Sequence, residues 1–170
     1  MLLRPAREED LPAVARLAAG LVLQHHGFDP ARFMLPDRVE EGYLWWFGQE
    51  LDNPAALILV ALCDSEIVGY AYGRIEERNW NMLLDTSGAL HDLFVDDRHR
   101  GEGVGRALAL EAIRLLKRKG APRVVLHTAT QNSRAQALFE SIGFRRTMVE
   151  MTCECGDGQA DDAEPKPTVG

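Results

Sequence analysis

The segment that most constrains this chain is Val95-Asp96-Asp97-Arg98-His99-Arg100-Gly101-Glu102-Gly103-Val104-Gly105-Arg106. An apolar run, Leu90–Val95, stops there at a charged turn, and three glycines follow at alternate positions. A helical pattern then begins, with Val104, Leu108, Ala112, Leu115 and Leu116 on one face. Strand, bend and helix in so few residues require a sharp turn, and glycine supplies both positive φ and close backbone approach. The first turn of a helix leaves N–H groups unpaired and carries a partial positive charge. Converging amides of this kind bind a phosphate or diphosphate. Lys117-Arg118-Lys119 falls in the last turn of the helix, where cations complement the dipole, and Gly120 and Pro122 stop it.

The remaining pattern places elements around this bend. Leu2–Arg4 reads as a first strand. Asp10 is placed to cap a helix with Leu11, Val14, Leu17, Ala18 and Leu21 on one face, broken at His25-His26-Gly27. Asp37 with Glu40 reads as a capping box for a helix carrying Val39, Tyr43, Trp46 and Phe47, ended by Asn53-Pro54. Ala56–Cys63 and Ile67–Ile75 form a hairpin about Asp64-Ser65, and Asn79–Gly88 is irregular. Arg123–Ala129 is the next strand. A helix capped by Asn132 or Ser133, with Gln136 completing a capping box, follows and ends at Gly143. Phe144–Glu154 alternates as a half-buried strand does. The expected class is a mixed α+β domain around one sheet.

With 170 residues, 46% of them hydrophobic, the chain is expected to form one domain over residues 1–155. Residues 156–170, rich in Asp, Glu, Gly and Pro, are expected to be a disordered acidic tail. The net charge of −7 lacks the basic footprint of a nucleic-acid or membrane-surface partner, and it is compatible with a cationic amine substrate or with solubility alone. No apolar stretch has membrane-spanning length and no signal-peptide region opens the sequence, so a cytoplasmic protein is expected. Cys63 reads as a core thiol. Cys153 and Cys155 lack a second Cys/His pair at zinc spacing, so no metal is expected.

Two motifs together resemble the GCN5-related N-acetyltransferase (GNAT) family. Arg100-Gly101-Glu102-Gly103-Val104-Gly105 is similar to its diphosphate signature, and Asn132–Phe144 to its second signature. Leu3–Leu11 looks like the family's first strand and helix entry. The resemblance covers roughly residues 2–153 and implies an α/β three-layer fold: a mixed, mostly antiparallel sheet with splayed central parallel strands, flanked by helices. A dinucleotide-binding turn is the nearest rival, but Gly101-x-Gly103-x-Gly105 departs from Gly-x-Gly-x-x-Gly and comes after a hairpin.

The resemblance implies acetyl-CoA as acyl donor and a primary amine, on a small molecule or a protein, as acceptor. Its pantetheine would lie between Leu90–Val95 and Arg123–Ala129, with backbone groups of Leu93, Phe94 and Val95 pairing to it as an added strand does. An N–H near Phe94 would face the thioester carbonyl and stabilise an oxyanion. The diphosphate would sit on Arg100, Gly101, Gly103, Val104, Gly105 and Arg106, so a bulky residue at Gly103 or Gly105 is expected to fill the cradle. Arg98 or Arg134 either reaches the outer phosphate or is a solvated surface charge. Asn132 is a pantetheine contact, an N-cap, or both.

His91 and Asp92 are the titratable candidates on the strand before the glycines. A regular strand points them to opposite faces, so at most one faces the acceptor. His91 is either the base or a hydrogen-bonded strand histidine, and Asp92 a structural pair or a water anchor. Phe139 stands where the family often has a tyrosine that protonates the leaving thiolate, which leaves Tyr70, Tyr72 or water as donor. His25, His26, Tyr43, Trp45 and Trp46 are acceptor-site candidates, with Tyr43, Trp46 and Phe47 expected in packing. The alternative reading is a non-catalytic acyl-CoA-binding or regulatory module. A homodimer is an open expectation.

Overall fold

A computed structural model describes residues 1–155. The expected tail, residues 156–170, lies outside the described residues. Five strands form one sheet in sequence order: β1 (Leu2–Pro5), β2 (Ala56–Cys63), β3 (Glu66–Glu76), β4 (Ser87–Val95) and β5 (Val124–Leu126). All neighbours are antiparallel except β4 and β5, which run parallel. The helices are α1 (Leu11–Phe28), α2 (Val39–Leu51), α3 (Val104–Arg118) and α4 (Ser133–Ser141). The β2–β3 turn places Asp64 and Ser65 at φ 47° and 70°, the two-residue geometry that matches strand twist.

Strand alternation splits the core into two layers. Leu57, Leu59, Ala71, Leu90 and Val95 pack under α3 and Phe139 of α4. Ile58, Val60, Tyr70 and Tyr72 pack under α1 and Phe47 of α2. The helix over the β4–β5 pair sits close: a Cβ on Gly88 would come within 3.1 Å of both Ala121 Cβ and Leu116 Cβ. Glycine is therefore required there for the crossover to pack.

Several local expectations are corrected. Asp10 does not cap α1. Its carboxylate turns back to accept from the Arg7 N–H at 2.7 Å and from the Arg4 guanidinium. α1 continues through His25-His26-Gly27, because His25 Nδ1 meets the Leu21 carbonyl at 2.9 Å without leaving the helix. α2 begins after Arg38, at φ 60° with no side-chain cap, so Asp37 and Glu40 form no box. β4 begins at Ser87, inside the segment read as irregular, since Ser87 and Gly88 pair with Glu76 and Ile75. β5 is only Val124–Leu126. Asn132 Oδ1 accepts from Ala135 N–H as the N-cap of α4, while Gln136 donates instead to the carbonyls of Ala129 and Thr130. Phe144–Glu154 is not a strand: it pairs with none of the described strands, and Met148, Val149 and Met151 are exposed.

Candidate functional site

β4 builds the site through two irregularities. The first is a bulge. Tyr72 pairs with Asp92 and Gly73 with Leu90, which leaves His91 as the extra residue. Leu90 and Leu93 join the layer under α3. His91 stacks on Tyr72, and Asp92 accepts from the Tyr70 hydroxyl at 2.8 Å, both on the α1–α2 face. The expectation that only one of the two faces this side is corrected: the bulge turns both to it.

The second irregularity is a parting of strands. Parallel pairing of β4 with β5 covers Gly88, Ala89 and Leu90 and then ends, while pairing with β3 continues to Val95. The β5-facing edge of β4 therefore has no strand partner from His91 to Val95, although the Val95 carbonyl accepts from Arg100. Asp96 N–H donates to Val68 O of β3, so alternation turns Phe94 toward β3 and Leu93 and Val95 toward the open side. The Phe94 ring lies against Gly20 of α1, with the Arg100 guanidinium 5.1 Å from its centroid.

The open edge runs into the glycine bend. Asp96 fixes its entrance, accepting from the Arg98 N–H and guanidinium, and these contacts hold its carboxyl down to about 2. Gly101 and Gly103 take φ 90° and 84°, a region that L side chains enter only with strain. Gly103 then leads into α3. Among the described residues, nothing accepts from the N–H groups of Gly101, Gly103, Val104, Gly105 or Arg106. The Arg134 guanidinium lies near Gly101, 3.9 Å from where its Cβ would be. Arg106 is exposed.

Two arginines of the motif are engaged elsewhere. Arg100 donates to the Val95 carbonyl at 3.1 Å and to Gln24 Oε1 at 2.8 Å, tying the bend to α1. Arg98 is held by Asp96 and Glu66. Phe139 is buried against Phe144. Two surface hollows of about 400 Å³ and 330 Å³ lie toward the other end of α3, beside Arg118 and Lys117.

The α1–α2 face carries the remaining polar groups. Burial raises the Asp92 carboxyl against the lowering effect of the Tyr70 hydroxyl, His91 and His25. Burial, and then the Asp92 charge, raise the phenol of Tyr43 on α2. The Tyr72 hydroxyl donates to Glu50 Oε2 at 2.5 Å, so both Tyr70 and Tyr72 are fully buried and already donate. Trp46 and Phe47 pack on Tyr72, as expected of that stripe. Trp45 is exposed, and His26 is tied to the Phe33 carbonyl. Glu50, Arg74 and Glu76 were missed in the sequence. Glu50 sits among the aromatics of α2 and Arg74 and Glu76 at the end of β3, and only the register shows them meeting.

Comparison with known proteins agrees with this architecture. The model of the Acetyltransferase (GNAT) family matches residues 23–144. A mycothiol acetyltransferase of Acidothermus cellulolyticus is 27% identical over 136 residues, 79% of this chain and 36% of that protein. The chain thus spans about a third of the length of the mycothiol acetyltransferases it matches. An uncharacterized N-acetyltransferase of Archaeoglobus fulgidus is 26% identical over 148 residues, covering 86% of this chain and 94% of its own. An aminoglycoside N-acetyltransferase solved in complex with CoA superposes with a TM-score of 0.74 at 19% identity, over 90% of this chain and 93% of that one. No helix among the described residues is long and apolar enough to cross a membrane.

Proposed function

The chain belongs to the acetyltransferase (GNAT) family, and from that premise we propose that it transfers the acetyl group of acetyl-CoA to a primary amine by direct attack. The observation that carries the reading is the open edge of β4 running straight into unpaired amides at the head of α3. A ligand with a diphosphate at one end and an amide-bearing arm at the other fits both. The amides of Gly101, Gly103, Val104, Gly105 and Arg106 would take the diphosphate, with the Arg134 and Arg106 guanidinium groups beside it. Leu93 and the Val95 N–H would pair with the arm as a neighbouring strand does, the Val95 carbonyl being held by Arg100. Asn132 caps α4, and Phe139 supports the cradle by packing. Arg100 contributes by anchoring the bend, and Phe94 by closing the layer behind it.

Acetyl-CoA supplies an activated thioester when bound. The chain's part is to bring a neutral amine to it and to manage protons. An open-side N–H of Leu93 or Val95 would donate to the oxyanion. His91 and Asp92 share the acceptor face. His91 is exposed, and an imidazole can both take and return a proton. Asp92, already receiving the Tyr70 hydroxyl, holds that wall in place. Attack forms the C–N bond and places the negative charge on the carbonyl oxygen. As the carbonyl re-forms, the C–S bond breaks, the nitrogen gives its extra proton to solvent, and solvent supplies the proton to the departing thiolate.

Calorimetry with acetyl-CoA, followed by a coenzyme A release assay over a panel of small-molecule and peptide amines, tests the reading. Binding with turnover on at least one amine is expected. Binding with no turnover on any would favour a non-catalytic acyl-CoA module, which the buried Phe139 would suit. NAD binding without acetyl-CoA binding would overturn both.

A further inference from the structure

We infer that Glu76 is the positioning residue for His91: it holds the imidazole as the Nε2–H tautomer and leaves the Nδ1 lone pair to take the acceptor's proton. The inference rests on the acetyltransferase reading for the source of that proton, and on geometry for the rest. His91 Nε2 lies 2.9 Å from Glu76 Oε1. A carboxylate only accepts, so Nε2 is the nitrogen that carries hydrogen, and in the neutral ring the lone pair then lies on Nδ1. Nothing among the described residues hydrogen-bonds Nδ1, and the His91 side chain is 40% exposed, so no protein group competes with a ligand for that lone pair.

The frame around the pair is closed. The His91 ring stacks on Tyr72, centroids 5.5 Å apart and planes at 24°. The Tyr72 hydroxyl donates to Glu50, and the Arg74 guanidinium lies between Glu50, at 3.5 Å, and Glu76, at 3.3 Å. Stacking fixes the plane of the imidazole, and Glu76 fixes which edge bears hydrogen. Without both, an exposed histidine exchanges tautomers and flips. In the proton transfer, an acceptor ammonium gives one proton to Nδ1 and becomes a neutral amine. The imidazolium keeps its Nε2–H on Glu76 and returns the added proton to solvent.

A surface ion pair alone would predict almost nothing for E76A beyond a small change in stability. Positioning predicts more. In protein labelled with ¹⁵N-histidine, the signals of neutral His91, assigned with H91Q, should show hydrogen on Nε2. They should move toward a tautomer average in E76A and stay near wild type in E76Q, whose amide oxygen still accepts. With an accepted amine, kcat in E76A should fall about tenfold, part of the roughly 10²–10⁴ that a placed base supplies, while acetyl-CoA affinity holds. E76Q should fall between. Hydrogen on Nδ1 in the wild type, E76A spectra identical to wild type, or a lost tautomer with undiminished kcat would each overturn the inference. The spectra need no turnover. A protein that acetylates no amine would count against the acetyltransferase reading and leave the spectra to decide this one.

Discussion

The three glycines of the bend do different work, and the structure separates them. Gly101 and Gly103 hold positive φ, whereas Gly105 is helical, and a Cβ there would meet Leu138, Leu93 and Val95 at ordinary contact distances of 3.6–3.7 Å. The side of Gly105 therefore faces the layer under α3, and a bulky residue there would press on packing rather than fill a cradle. A Cβ on Gly103 meets nothing within 4 Å, so its cost is backbone strain of about 1–2 kcal/mol and a rotated set of amides. Gly103→Val should weaken acetyl-CoA by about tenfold or more, the worth of roughly 1.4 kcal/mol. Gly105→Ala keeps its N–H, gains helix propensity of up to about 1 kcal/mol, and should leave affinity within about twofold. Calorimetry on the pair checks both, and equal effects at the two positions would remove the bend as the anion site.

At the scale of elements, the bulge in β4 is an addition to a ladder that is otherwise continuous. Deleting His91 would bring Asp92 next to Leu90 with both still on the faces they occupy, since Tyr72 and Gly73 already pair with those two residues. The deletion should fold with a near-native circular dichroism spectrum, bind acetyl-CoA, and lose about 10²–10⁴ in kcat with the base. A variant that fails to fold would show that the bulge supports the sheet. The sequence could not have revealed this device. His91-Asp92 looks the same in a regular strand as in a bulged one, and only the partner register distinguishes them. The head of β4 was hidden for a different reason: Ser87-Gly88-Ala89 has loop composition, and at Gly88 any side chain would meet Leu116 and Ala121. Phe144–Glu154 erred in the opposite direction, since its alternation finds no strand beside it. By contrast, α3 was legible from end to end. Its apolar period, glycine entry and basic last turn all report one helix, and the bend before it follows from the same residues.

Across the whole molecule, the two edges of the sheet are finished differently. β5 contributes three residues and then parts from β4, which opens the site. At the far edge, β1 is latched to the start of α1 by Arg4 and Asp10, with Arg4 Nη2 donating to Asp10 Oδ1 at 2.9 Å. The Arg4 hydrogen bond, and then the Arg7 N–H, outweigh burial and lower the Asp10 carboxyl below its usual value. A lowered carboxyl binds its proton less readily folded than unfolded. Its stabilisation is therefore complete above the unfolded value of about 4 and is lost as pH falls through the lower folded value. Asp10→Asn should cost about 2 kcal/mol near neutral pH, the scale of a hydrogen bond between charged groups. Its penalty should shrink as the pH is taken below about 4, where the wild type loses the same contact. The latch and the bend share no residue in the hydrogen bonds that hold them, and they engage α1 at opposite ends, so their energies should add. Asp10→Asn should lower the denaturant midpoint while leaving acetyl-CoA affinity unchanged, and Gly103→Val should lower affinity by the same factor in either background. Urea melts at two pH values with parallel calorimetry provide the check. A loss of affinity in Asp10→Asn would mean that the far edge holds the site together, and that the sheet answers as one unit rather than as a latched frame with an open end.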